Sequence, residues 1–200
     1  MSGQIFISYR RDDASYPAGR LYDRLSARLP NNHIFIDVDL EPGIDFVKAI
    51  ETSVGSCDVL IAVIGKQWLP SVDEAGKRRL DDPDDFVRLE IATALKRNIR
   101  VIPVLVDAAS MPRSNDLPDD LKLLVRRNAL ELSHSRFNAD FGRLVAALKK
   151  SDAEGNQLVE KDSARSRLQS QRRQNEEKQN LEVQCCEREE EKSVGGERSA

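Results

Sequence analysis

Two hundred residues suffice for one ordinary domain with an appendage and exclude two full enzyme domains. The aromatics (six Phe, three Tyr, one Trp) all lie between Phe6 and Phe141, and acidic and basic residues balance over residues 1–150, so the net charge of −3 belongs to the last fifty. A pI near 5.6 without a basic stripe argues against a nucleic-acid partner. No apolar run nears the roughly 18 residues that span a bilayer, and Arg10 and Arg11 precede any signal-peptide core, so a cytoplasmic protein without a membrane partner is expected.

Short β-branched and aromatic runs alternate with segments of helical period, the rhythm of an α/β protein with a parallel sheet. The first strand is read as Gln4–Tyr9, followed by a helix near Tyr16–Leu29 in which Leu21, Leu25 and Leu29 repeat and Pro17 occupies the first turn. Ile34–Asp37 is the second strand. It runs into the loop Val38–Gly43, and a helix then carries Phe46, Ile50 and Val54. The third strand, Val59–Ile64, is apolar throughout, as a strand buried on both faces must be. A long polar stretch, 65–85, leads to a helix over Phe86–Arg97. The fourth strand is Arg100–Val106, whose Pro103 predicts a strand near the edge or a local interruption. A short helix from Pro118, a brief strand around Ala129–Leu132 and a helix over Phe137–Lys149 complete residues 1–150.

Residues 151–200 are read as a separate tail. Leu158, Leu168 and Leu181 are too sparse to form a stripe among Gln, Glu, Arg and Ser, so the segment is expected to be disordered or transiently helical, with a weak coiled coil as the minority reading. Cys57, Cys185 and Cys186 are odd in number and form no CxxC, against both a disulfide framework and a zinc knuckle. Cys57 reads as a small buried filler.

Common enzyme signatures are missing: GxGxxG, GxxxxGK[ST], GxSxG and HExxH do not occur. With only His33 and His134, no metal site is expected, and each His reads as a surface or structural residue. Carboxylates and arginines remain. Ligands of an open parallel sheet bind beyond the carboxyl ends of its strands, where the sequence delivers Tyr9, Arg10 and Arg11, then Asp37 and Glu41, then Gly65, Lys66 and Trp68. Paired guanidinium donors suit phosphate oxygens, although Arg10 and Arg11 equally read as solvated charges paired with Asp12 and Asp13. On the helix from Phe86, residues Val87, Ile91, Ala94 and Leu95 must face the sheet, and Phe86 and Glu90 share a flank four residues apart. By spacing alone Glu90 also reads as an ordinary surface glutamate.

FISYRRDD (Phe6–Asp13), IFIDVDLEPG (Ile34–Gly43), DFVRLEIATAL (Asp85–Leu95) and RVIPVLVD (Arg100–Asp107), in this order, resemble Toll/interleukin-1 receptor (TIR) domains of the bacterial and NAD+-hydrolysing type. The likeness spans roughly residues 3–149. It implies a flavodoxin-like five-stranded parallel sheet with helices on both faces, and an NAD+ glycohydrolase that frees nicotinamide with ADP-ribose or a cyclic form, acting in signalling or defence after self-association. Glu90 then takes the catalytic position, NAD+ is substrate and no cofactor is implied. Tyr9, Arg10, Arg11, Asp37, Glu41, Trp68 and Phe86 become candidate substrate-binding residues. Val38, Asp39, Leu40, Pro42 and Gly43 match a loop used for pairing with other TIR domains. The alternative it implies is a non-catalytic TIR–TIR interaction module.

Overall fold

Val59–Ile64 (β3) offers no polar side chain to either side, and all six of its residues are buried. In the computed structural model, which describes residues 3–36 and 45–149, this strand is the middle of a five-stranded parallel sheet ordered β2-β1-β3-β4-β5. The other strands are β1 (Gln4–Ser8), β2 (His33–Phe35), β4 (Arg100–Val106) and β5 (Leu130–Leu132). Phe6 lies beside both Phe35 and Leu60, Ile61 beside Ile102, and Val104 beside Leu130. The flavodoxin-like sheet expected from the sequence is therefore present.

Because side chains alternate along a strand, the sheet feeds two cores. Val59, Ile61 and Val63 join Ile5, Ile7, Ile102 and Val104 on one face. There they meet α1 (Arg11–Arg28) through Ala18, Leu21 and Leu25, and the last helix, α4 (residues 137–149), through Phe141, Leu144 and Leu148. Arg20 and Arg24 lie over the rings of Phe137 and Phe141, at 3.6 and 5.6 Å from their centroids, and bind α1 to α4. On the other face Leu60, Ala62 and Ile64 meet α2 (Phe46–Gly55), α3 (Phe86–Lys96) and a 3-10 helix (Asp119–Arg126) through Ile50, Val54, Val87, Ile91, Leu121 and Leu124. Each such side chain contributes about 1.5–3 kcal/mol on burial.

The junction of β1 and α1 differs from expectation. β1 stops at Ser8, since the Arg10 carbonyl already accepts from the N–H groups of Asp13 and Ala14 (3.0 and 2.9 Å) and starts α1 at Arg11. Helix geometry breaks at Ala14 (φ −134°, ψ 22°), so Pro17 sits in the first turn of the segment after the break, where its missing N–H is tolerated. Pro103 lies in the penultimate strand, one residue before the pairing with β5 begins at Val104. Asp37, the loop Val38–Gly43 and the tail 151–200 lie outside the described residues. Among the described residues no helix is long and apolar enough to cross a membrane.

Candidate functional site

In the order β2-β1-β3-β4-β5 the connections diverge between β1 and β3, which makes the carboxyl ends of these strands the crevice where such sheets bind ligands. Alternation along β1 sends Phe6, and then Ser8, toward α2 and α3. Arg10, still extended (φ −94°, ψ 120°), enters the same layer and is only 1% exposed. Its Nη1 and Nη2 donate to Oδ2 and Oδ1 of Asp85 at 3.0 and 3.1 Å. Asp85 is buried as well and is the N-cap of α3, accepting from the Arg88 N–H at 3.1 Å. Arg79 Nε lies 3.3 Å from the same carboxylate. The first turn of α3 is thus tied to the end of β1. Removing one partner would strand a buried charge, a loss of about 3–5 kcal/mol.

Phe86, the first residue of α3, follows this tied cap directly. Phe86 is 42% exposed, and its ring meets that of Phe46, the first residue of α2, at 5.0 Å between centroids and 56° between planes. Asp45 caps α2 by accepting from the N–H groups of Val47 and Lys48, which holds Phe46 at the helix end. Glu90, four residues beyond Phe86 on the same flank, is half-buried. Helix spacing therefore puts Phe86, whose ring meets Phe46, and Glu90 on one flank of α3.

The segment after β3 is held against this region by polar contacts. Asp13 accepts from the Gln67 N–H at 2.8 Å. Its carboxylate lies over Gly65 so closely that a Cβ there would fall 2.4 Å from an oxygen. Farther on, Asp73 accepts from the N–H groups of Ala75 and Lys77 and shapes a turn, while the Arg78 guanidinium donates to the Asp116 carbonyl at 2.7 Å. The side-chain hydrogen bond from Arg78 holds the Asp81 carboxyl below the ordinary carboxylate range.

Several sequence expectations are corrected by this geometry. Arg10 is neither an open phosphate grip nor a solvated charge paired with Asp12 or Asp13, because Asp85 engages it inside the protein. Asp12 instead faces Arg79 at 3.4 Å. Trp68 is 1% exposed within the core beside α2 and α3, so neither ring face is available for stacking. Phe46, carried by the same helix as Ile50 and Val54, is partly buried against the core and its ring meets that of Phe86. Tyr9 packs toward the α1 and α4 side, and Arg11 is exposed. Asp37, Val38, Asp39, Leu40, Glu41, Pro42 and Gly43 lie outside the described residues. Both histidines are exposed, and His33 packs on Phe35 at 4.5 Å between ring centroids. Cys57 is buried, and burial, reinforced by the neighbouring Asp58, pushes its thiol up to about 11.

A doubly wound parallel sheet with this order defines the class, and comparison with known proteins defines the family. The family model for the TIR domain matches residues 5–145, and the chain belongs to that family. It is 31% identical over 148 residues to the zebrafish (Danio rerio) protein NAD(+) hydrolase SARM1, a match covering 72% of this chain and 19% of that protein. It is 28% identical over 148 residues to NAD(+) hydrolase sarm1 of Drosophila melanogaster, covering 72% of this chain and 10% of that one. The chain therefore spans a fifth or less of the length of these relatives. Among solved structures, the TIR domains of the activated Roq1 resistosome superpose with a TM-score of 0.51 at 16% identity, covering 75% of this chain and 99% of that one.

Proposed function

We propose that the domain cleaves NAD+ at the bond between nicotinamide and ribose, with Glu90 as the catalytic carboxylate. The observation that carries this reading is the grouping on the α3 flank. By helix spacing Glu90 lies one turn beyond Phe86, whose ring meets Phe46, on a helix whose first turn is tied to the end of β1 through Asp85. The likeness to proteins named NAD(+) hydrolase supports the choice of substrate.

Nicotinamide in NAD+ is already a cationic leaving group, so its departure needs no proton donor. Breaking the bond builds positive charge on the ribose, as in other oxocarbenium-like glycosyl transfers. A preorganised carboxylate that accepts from ribose hydroxyls and faces that charge stabilises the transition state more than the ground state. Glu90 takes this role, and the rings of Phe86 and Phe46 offer apolar surface to a base. Arg11, exposed at the start of α1, is proposed to meet the pyrophosphate. Water, or the adenine of the same molecule, completes the reaction to give ADP-ribose or a cyclic product. Self-association through the loop Val38–Gly43, the usual behaviour of TIR domains, completes the proposal for the working state.

The test is nicotinamide release from NAD+ by concentrated purified protein, with and without a crowding agent. Glu90→Ala is expected to lose at least about 100-fold in kcat, the scale on which single electrostatic stabilisers act, with unchanged circular dichroism. Full activity in this variant would refute the assignment. No release by folded wild-type protein under either condition would leave a TIR–TIR interaction module.

A further inference from the structure

We infer that Arg10 is a positioning residue: through Asp85 it sets where the first turn of α3 lies, and so where Phe86 and Glu90 stand, rather than holding a phosphate of the substrate. The catalytic part of this inference rests on the NAD+ reading above. The link itself rests on the geometry of the pair.

Both terminal nitrogens of the Arg10 guanidinium are engaged by one carboxylate, at 3.0 and 3.1 Å. The remaining donor, Nε, is itself enclosed within the protein, so no edge of the group is presented to a pyrophosphate. A guanidinium offers a fixed planar fork, and a side-on carboxylate fixes both the direction and the distance between the two side chains. Each end of the link is rigid. Arg10 lies two residues beyond Ser8, the last residue of β1, and β1 is paired with β2 on one side and β3 on the other. Asp85 immediately precedes Phe86 and caps α3 through the Arg88 N–H, with the Leu89 N–H closing the first turn onto the Asp85 carbonyl at 2.9 Å. Arg79 Nε, 3.3 Å from the Asp85 carboxylate, braces it from the loop side. Sheet, cap and helix thus form one continuous frame, and Glu90 rides on it five residues past the cap. A misplacement of about 1 Å in a reacting group is enough to cost about 100-fold in rate, so a group that never touches substrate can govern turnover this way.

The experiment compares the full chain with Arg10→Lys, Asp85→Asn and the double variant. It measures kcat and KM for NAD+ cleavage and, separately, amide hydrogen exchange at Arg88 and Leu89. Each single variant is expected to lower kcat at least about tenfold with KM within about twofold, and the double variant to be no worse than the poorer single, as for residues acting as one unit. Exchange at both amides is expected to quicken about tenfold. A several-fold rise in KM for Arg10→Lys alone, with Asp85→Asn unaffected, would make Arg10 a substrate ligand and overturn the inference; unchanged exchange would overturn it too. Asp85→Asn keeps an oxygen for the Arg88 N–H, and should Arg10→Lys fail to fold, it decides by the same two measurements. If wild-type protein releases no nicotinamide, the NAD+ reading falls by itself. The exchange rates then decide the link alone, quickening in its favour and constancy against it.

Discussion

Cys57 illustrates how burial decides reactivity at the level of a single residue. Its thiol is enclosed next to β3 and pushed up to about 11, so almost none of it is thiolate at neutral pH. Iodoacetamide at pH 7.5 is therefore expected to leave Cys57 unmodified in native protein and to label it in guanidinium, as read by mass spectrometry of its peptide. Labelling at equal rates in both states would contradict the packing described. The filler role of this cysteine was readable from its place before an apolar strand, and the Phe86–Glu90 flank was readable from a spacing of four. The fate of Arg10 was not. Its partner lies 75 positions away, and no local period reports a pairing made across the fold. Trp68 escaped for a related reason: it follows a strand end, where loop residues are ordinarily outside, but here it turns inward.

At the scale of elements, the contacts between a helix and a neighbouring loop or strand end carry two predictions. Gly65→Ala places a methyl group where the Asp13 carboxylate now sits, so that side chain must swing away and abandon the Gln67 N–H. The expected loss is about 1–3 kcal/mol in denaturant unfolding, the range for a hydrogen bond whose donor is left unpaired. The same substitution at Gly142, which has open space around it, serves as the control. Asp140 on α4 accepts from the Ser133 N–H at 2.9 Å beyond β5 and from Arg143. The Ser133 amide is the main cause that holds its carboxyl below the ordinary carboxylate range. A carboxyl lowered on folding stabilises above its unfolded pKa and loses that contribution as pH falls through its folded value. Wild-type protein is therefore expected to melt above Asp140→Asn at pH 7, with the gap narrowing steadily below about pH 4. A gap independent of pH would show that ionisation at Asp140 does not matter.

For the molecule as a whole, order and layering were legible because each strand–helix unit is written locally: VLIAVI can only be a doubly buried strand, and the leucines of α1 can only face a core. The short β5 was harder, since three residues carry little pattern and pairing with β4 decides where they begin. Glu41, in the loop before α2, is expected to support NAD+ cleavage, and nicotinamide release by Glu41→Ala checks this. The partners that fix α3 to β1 also bear on synthesis. Residue 10 leaves the ribosome long before residue 85, so its guanidinium waits for more than half of the domain to be made, and closing so long a loop comes late in folding. A chain truncated from its N-terminus past Arg10 would therefore carry Phe86 and Glu90 on α3 without the link that fixes the start of that helix to β1.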